Sequence, residues 1–290
     1  MPNEGDAVTE HTTAEPRPEP TSWVDNYATT MSGIQINPEE QVLHDRDWEG
    51  QLVAAGRGPM RWGIPAFFLG YGSFYIVGLI ISAVVASLAV RLDNLPSSDR
   101  GPLVLLALTP NVLLGLAPAV MSWWKGNGLR KDFGIVPTRR DVWIGLLCGL
   151  VAFGLGLVIN LLLQTLVFKN GAPGSNAVQQ LSGLSGGRTG WLAVAALFVV
   201  FGAPLTEETL VRGALWGALE GYKMHRYAIL GITSLLFAFM HQEPAVTLAL
   251  FSQGMAIGTA RMITGRIGAS MIAHATNNLI PALLLFFVIR

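Results

Sequence analysis

The chain has 290 residues, 51% hydrophobic and 13% charged, with a formal net charge of zero. Soluble domains carry about 25% charged residues, so an ordinary soluble domain is excluded, and the neutral balance gives no reason to expect a nucleic-acid partner. Several apolar runs exceed the ~18 residues needed to cross a bilayer, and the chain reads as all-α, a polytopic transmembrane helix bundle.

The charges are unevenly spread. Residues 1–60 hold eleven of the nineteen acids and are rich in Glu, Pro, Thr and Ser. They cannot bury enough apolar surface to fold alone. A polar, acidic, disordered tail is expected over 1–60, with a short surface helix in Gln41–Ala55. No basic segment followed by a short apolar run opens the chain, so no secretory signal is expected. The transmembrane bundle is expected over 61–290.

The first predicted span is Trp62–Val90. The second is Pro102–Trp124, with Trp123 and Trp124 as interface anchors. A basic loop, Lys125–Asp141, leads to the third, Val142–Phe168. The lone cysteine, Cys148, lies in this span; it allows no intrachain disulfide and reads as a small core residue. The loop Lys169–Gly190 is Gly/Ser/Asn-rich and reads as flexible. Span four runs from Trp191 to about Leu219, span five Tyr227–Gln242, span six Ala245–Ile263 and span seven Ile267–Ile289.

Basic residues near span ends set orientation. With the amino terminus in the cytoplasm, the inner segments carry twelve Lys and Arg and the outer ones five. The expected location is an integral, multi-pass membrane protein, in the plasma membrane if the source is bacterial.

Span four carries the stretch A-P-L-T-E-E-T-L-V-R-G, with Glu207, Glu208 and Arg212 inside an apolar run. Ionisable residues at membrane depth are costly and mark functional sites. Glu208 and Arg212 are one helical turn apart and can pair. Glu207 lies about 100° round the helix and has no such counter-ion. Phe237 and His241 are four apart on span five, as are His274 and Asn278 on span seven. Their depths are similar, so a shared water-containing pocket opening toward the cytoplasm is expected. Each feature has a plainer reading: the Glu208–Arg212 pair as a packing device, each histidine and asparagine as an interhelical hydrogen-bonder. Their joint occurrence favours hydrolysis. A carboxylate in an apolar bundle suits a general base, and Glu207 is the freer acid. A neutral amide such as Asn278 suits an oxyanion hole. No G-x-S-x-G elbow accompanies these residues, and H-E-x-x-H is absent.

Together, E-E-x-x-x-R (Glu207, Glu208, Arg212), F-x-x-x-H (Phe237, His241) and H-x-x-x-N (His274, Asn278) resemble the CPBP family of CAAX-processing proteases and bacteriocin-processing enzymes, also called Abi. The resemblance covers about 140–290, and the D-F-G-I-V-P-T-R-R-D stretch just before it also looks like family usage. It implies an intramembrane endopeptidase acting on a peptide or membrane-protein tail near the cytoplasmic face. Glu207 and His241 would activate water, His274 and Asn278 would stabilise the oxyanion, and Glu208, Arg212 and Phe237 would support the site. It also implies a bundle often of eight helices, the eighth expected in Lys169–Gly190 or in the tail. No metal is expected; the alternative, since such enzymes are often labelled metalloproteases, is zinc on His241, His274 and Glu208. Two other functions compete. One is a non-proteolytic membrane scaffold or peptide-immunity protein, which has no need of Glu207. The other is a transporter, disfavoured because the polar groups lie in one half of the chain.

Overall fold

The computed structural model describes residues 60–88, 102–169 and 190–288. The acidic tail, its expected surface helix and most of the Lys169–Gly190 loop lie outside these residues. Among the described residues the fold is all-helical, without strands.

We number the helices α1 Gly63–Ser87, α2 Leu103–Lys125, α3 Leu129–Asp132, α4 Arg139–Leu162, α5 Gly190–Gly221, α6 Arg226–Met240, α7 Thr247–Thr264 and α8 Ile267–Val288. Five of them, α1, α2, α4 (counted on to Val167), α5 and α7 (counted from Pro244), are long and apolar enough to cross a membrane. α6 is a shorter apolar helix of 15 residues, and α8 has 22. The eighth helix of the described chain is the four-residue α3, in neither of the two expected places.

The ends of these helices follow from local chemistry. Thr138 caps α4 and forms a reciprocal capping box with Asp141. Gly265, at φ 70, closes α7 in the left-handed conformation that glycine adopts without strain. Trp123 and Trp124 are exposed at the end of α2, with the Lys125 ammonium 4.1 Å above the Trp124 ring, as interface anchors would be.

The D-F-G-I-V-P-T-R-R-D stretch grips the start of α8. Phe133 O accepts from Ile267 N at 2.9 Å and Gly134 O from Gly268 N at 3.3 Å. Arg266 bonds Asp141 at 2.9 Å and the Val136 carbonyl at 2.7 Å. Higher up, α4 and α8 touch backbone to backbone. A Cβ on Gly145 would fall 2.7 Å from Ala269 O, and one on Gly149 only 2.4 Å from Ala273 O. Lipid gives helices no hydrophobic reason to associate, so small residues that permit close approach supply the packing. Two cores result. One is aromatic and aliphatic, built from Phe67, Leu114, Leu210, Leu215 and Phe237 of α1, α2, α5 and α6. The other is built of small residues, among them Ala152, Ala256, Ala260 and Ala273, between α4, α7 and α8.

Candidate active site

α5 is a 32-residue helix broken by two π-helical stretches, Phe198–Gly202 and Thr209–Leu215. Each widened turn weakens the internal ladder and leaves a carbonyl for an outside donor. Asn278 Nδ2 of α8 donates to Val199 O at 2.9 Å. Arg261 Nε of α7 donates to Arg212 O at 3.2 Å. The two glutamates sit between these irregular turns.

Glu208 and Arg212 are both fully buried and joined by a 2.9 Å bond from Nη1 to Oε1. A second guanidinium nitrogen, Nη2, donates to the Gly254 carbonyl of α7 at 2.9 Å. His274 Nδ1 lies 3.0 Å from the same Oε1 of Glu208. An ionised carboxylate only accepts, so Nδ1 carries the proton and Nε2 keeps its lone pair. That Nε2 faces Glu207 Oε2 at 4.0 Å, beyond hydrogen-bond reach. Glu207 Oε2 is buried with no hydrogen-bond partner in the structure. The twin acids are thus differently placed: Glu208 Oε1 is held from two sides and Glu207 Oε2 has no hydrogen-bond partner.

Phe237 organises the rest. Its buried ring meets the His241 imidazole edge-on at 4.8 Å and the His274 imidazole at 5.4 Å. The Arg212 guanidinium lies 4.6 Å from the same ring, a cation–π contact. His241 follows the last residue of α6, and its Nδ1 is 2.8 Å from Phe237 O. A carbonyl can only accept, so this histidine too is protonated at Nδ1 and presents a basic Nε2. His241 is exposed at the wall of a cavity of about 580 Å³ between α1, α2 and α6.

The structure therefore brings together Glu207, Glu208, Arg212, Phe237, His241 and His274. Asn278 lies one turn beyond His274. Its Oδ1 accepts from Asn277 Nδ2 at 3.1 Å, and one hydrogen of its own amide goes to Val199, which leaves the second for a ligand. Three participants were not foreseen: Asn277, which orients Asn278, and the carbonyls of Gly254 and Val199. The N-N doublet signalled the first. Nothing in sequence signals which carbonyls a π turn frees.

The zinc alternative would need His241, His274 and Glu208 to converge on one ion. Among the described residues no group of three His, Cys, Asp or Glu side chains is placed to hold a metal. Glu208 Oε1 accepts from Arg212 and His274, while its Oε2 has no hydrogen-bond partner.

Two expectations about the membrane face part company. The loops between α2 and α4, α5 and α6, and α7 and α8 carry the basic residues and lie at the end of the bundle where α1 begins. The cavity beside His241 is lined by Ser82 and Val85 near the end of α1 and Leu103 at the start of α2, about 30 Å along α1 from Gly63. It opens on the half away from the basic loops.

Two glutamates, two histidines and an asparagine thus lie close together among α5, α6 and α8 of a multi-helix membrane protein. Residues 189–280 match the family model described as type II CAAX prenyl endopeptidase, Rce1-like. That segment contains every one of the motif residues. No curated protein and no solved structure matches the chain.

Proposed function

We propose that the protein is an intramembrane endopeptidase that hydrolyses a peptide bond with a glutamate-activated water and no metal ion. The observation that carries this is the contrast between the two acids. Glu208 is neutralised by Arg212 and bonded to His274, whereas Glu207 Oε2 is buried and unpartnered 4.0 Å from His274 Nε2. A gap of that length between a base and an acceptor suits a water held by both. Glu207 takes the proton as the oxygen attacks the scissile carbonyl. As the C–N bond breaks, Glu207 passes that proton to the leaving amine, while His241, with Nε2 available, accepts a hydrogen bond from the same water. The free hydrogen of the Asn278 amide faces the developing oxyanion, and His274 Nε2 accepts a hydrogen bond from the attacking water. Glu208 and Arg212 hold His274 in the required tautomer. Given the basic loops, the substrate enters from the half of the bilayer away from the cytoplasm, where the cavity beside His241 opens, and not from the expected cytoplasmic face.

Glu207→Gln tests the reading, since it keeps size and removes the base. Peptide ends are catalogued in membrane and secreted fractions of cells carrying either form. Termini that vanish with the variant, while its level in the membrane holds, support the reading. A lost general base slows cleavage about 10²–10⁴-fold. Identical catalogues, together with an effect of deleting the whole protein, would leave the scaffold as the better account.

A further inference from the structure

We propose that the groove between α1, α2 and α6 is the substrate cleft, and that Asn111 binds the main chain of an extended, apolar peptide segment there. This deepens the peptidase reading above and rests on it.

Four observations converge on the groove. His241 and Gln242 form part of its wall. A second cavity, of about 790 Å³, shares Tyr75 and Gln242 with the first, so the two run as one groove past His241. Gln242 has φ 55 although it is not glycine, a conformation that costs energy and concentrates at ligand clamps. Pro110 lies inside α2. It has no N–H to give the Leu106 carbonyl, and Leu106, Pro110 and Asn111 all line the groove.

The physical argument concerns the substrate. An amide inside a helix is shielded from attack, so the scissile segment must unwind. In lipid an unwound segment strands its N–H and C=O groups, which is tolerated only where protein re-satisfies them. The groove offers such partners. The Asn111 amide makes no hydrogen bond to another described side chain or carbonyl, and it supplies a donor and an acceptor. The Leu106 carbonyl and the Gln242 amide add more. Phe74, Tyr75 and Leu79 provide apolar walls for alternate side chains. No Lys, Arg, Asp or Glu lines the 580 Å³ cavity, and the 790 Å³ cavity adds only the acidic Glu243, so the chemistry fits a peptide without acidic side chains and not an anionic headgroup.

The test uses full-length protein in detergent micelles and a synthetic library of apolar peptides, with cut sites read by mass spectrometry. Asn111→Leu keeps the shape and removes the amide, and Asn111→Gln restores it. Ser82→Trp, at an exposed position on α1, fills the groove without touching the core. Loss of one bond to the substrate main chain predicts cleavage about tenfold slower at low peptide for Asn111→Leu. The rate at saturating peptide should stay within about twofold of wild type, as for binding lost equally from ground and transition states. Asn111→Gln should recover most of the difference, and Ser82→Trp should change which residues flank the cut. Wild-type rates and wild-type preferences in both Asn111→Leu and Ser82→Trp, with Glu207→Gln inactive, overturn the groove and leave the peptidase standing. Cleavage that survives Glu207→Gln, or a library left whole by the wild type, overturns both. Where Asn111→Leu fails to fold, Ser82→Trp alone decides.

Discussion

Arg212→Met is the sharpest probe of what holds the site together. The substitution keeps length and apolar bulk and removes the charge. An unpacked α5 already sitting in the membrane keeps the Glu208–Arg212 bond, because both residues are on one helix. Packing therefore gains only the contacts Arg212 makes to other helices. These are the 2.9 Å bond to Gly254 O and the 4.6 Å contact with Phe237. Interhelical hydrogen bonds in membrane proteins average about 0.6 kcal/mol and reach about 1.7, and a desolvated cation–π contact is worth about 2. The buried Glu208 carboxylate, left with His274 alone, adds a penalty. A loss of about 3 kcal/mol is expected. Adding Glu208→Gln should return about half of it by removing the unpaired charge. The assay is unfolding in mixed micelles, followed by tryptophan fluorescence; Trp216 is buried and adjoins the Arg261 guanidinium at 5.5 Å. A single variant within about 1 kcal/mol of wild type, or a double variant worse than the sum of the two singles, would refute the reasoning.

Three further outcomes follow from the same contacts. Chelation by EDTA should leave cleavage within about twofold; loss that only added zinc restores would overturn the metal-free mechanism. Gly149→Ala should cost about 1–3 kcal/mol by forcing strain into a packed contact, since its Cβ would meet Ala273 O at 2.4 Å; the unfolding midpoint reads this, and an unchanged midpoint contradicts the α4–α8 contact. In a Cys148→Ser background, a membrane-impermeant maleimide applied to intact cells should label Leu88→Cys and spare Lys131→Cys, both exposed positions at opposite ends of the bundle. The reverse pattern places the groove toward the cytoplasm.

Much of this was legible from sequence. Apolar run length placed each span to within about three residues, as with Ile267–Ile289 against the observed Ile267–Val288. Helical spacing gave the Glu208–Arg212 bond, because residues four apart on one helix meet whatever surrounds them. Contacts between helices follow no such period. The shared use of Glu208 Oε1 by Arg212 and His274, and the seating of both histidines on Phe237, arise from how α5, α6 and α8 cross. The π stretches in α5 leave no mark in composition. Asn111 stayed out of view for another reason: the motif residues lie in the carboxyl-terminal half, and the groove is walled by the first two helices. The opening of the cavity beside His241 stayed out of view because depth counted along separate spans says nothing of the space between helices.

The bond between Glu208 and Arg212 also bears on how the chain enters the membrane. Helices are delivered in order of synthesis, so α5 arrives before α7 and α8 exist. Gly254, Arg261 and His274, which later surround its charges, are then still unmade. Each ionised side chain at the middle of an inserting helix costs about 2.5–3.5 kcal/mol, and α5 carries three such side chains. A counter-ion one turn away on the same segment is the only neutralisation to hand at that moment. Had the partner of Arg212 been placed on α8, the helix would face the translocation machinery with an unpaired cation. The internal pair thus lets α5 be delivered ahead of α7 and α8 and receive its remaining partners as they appear.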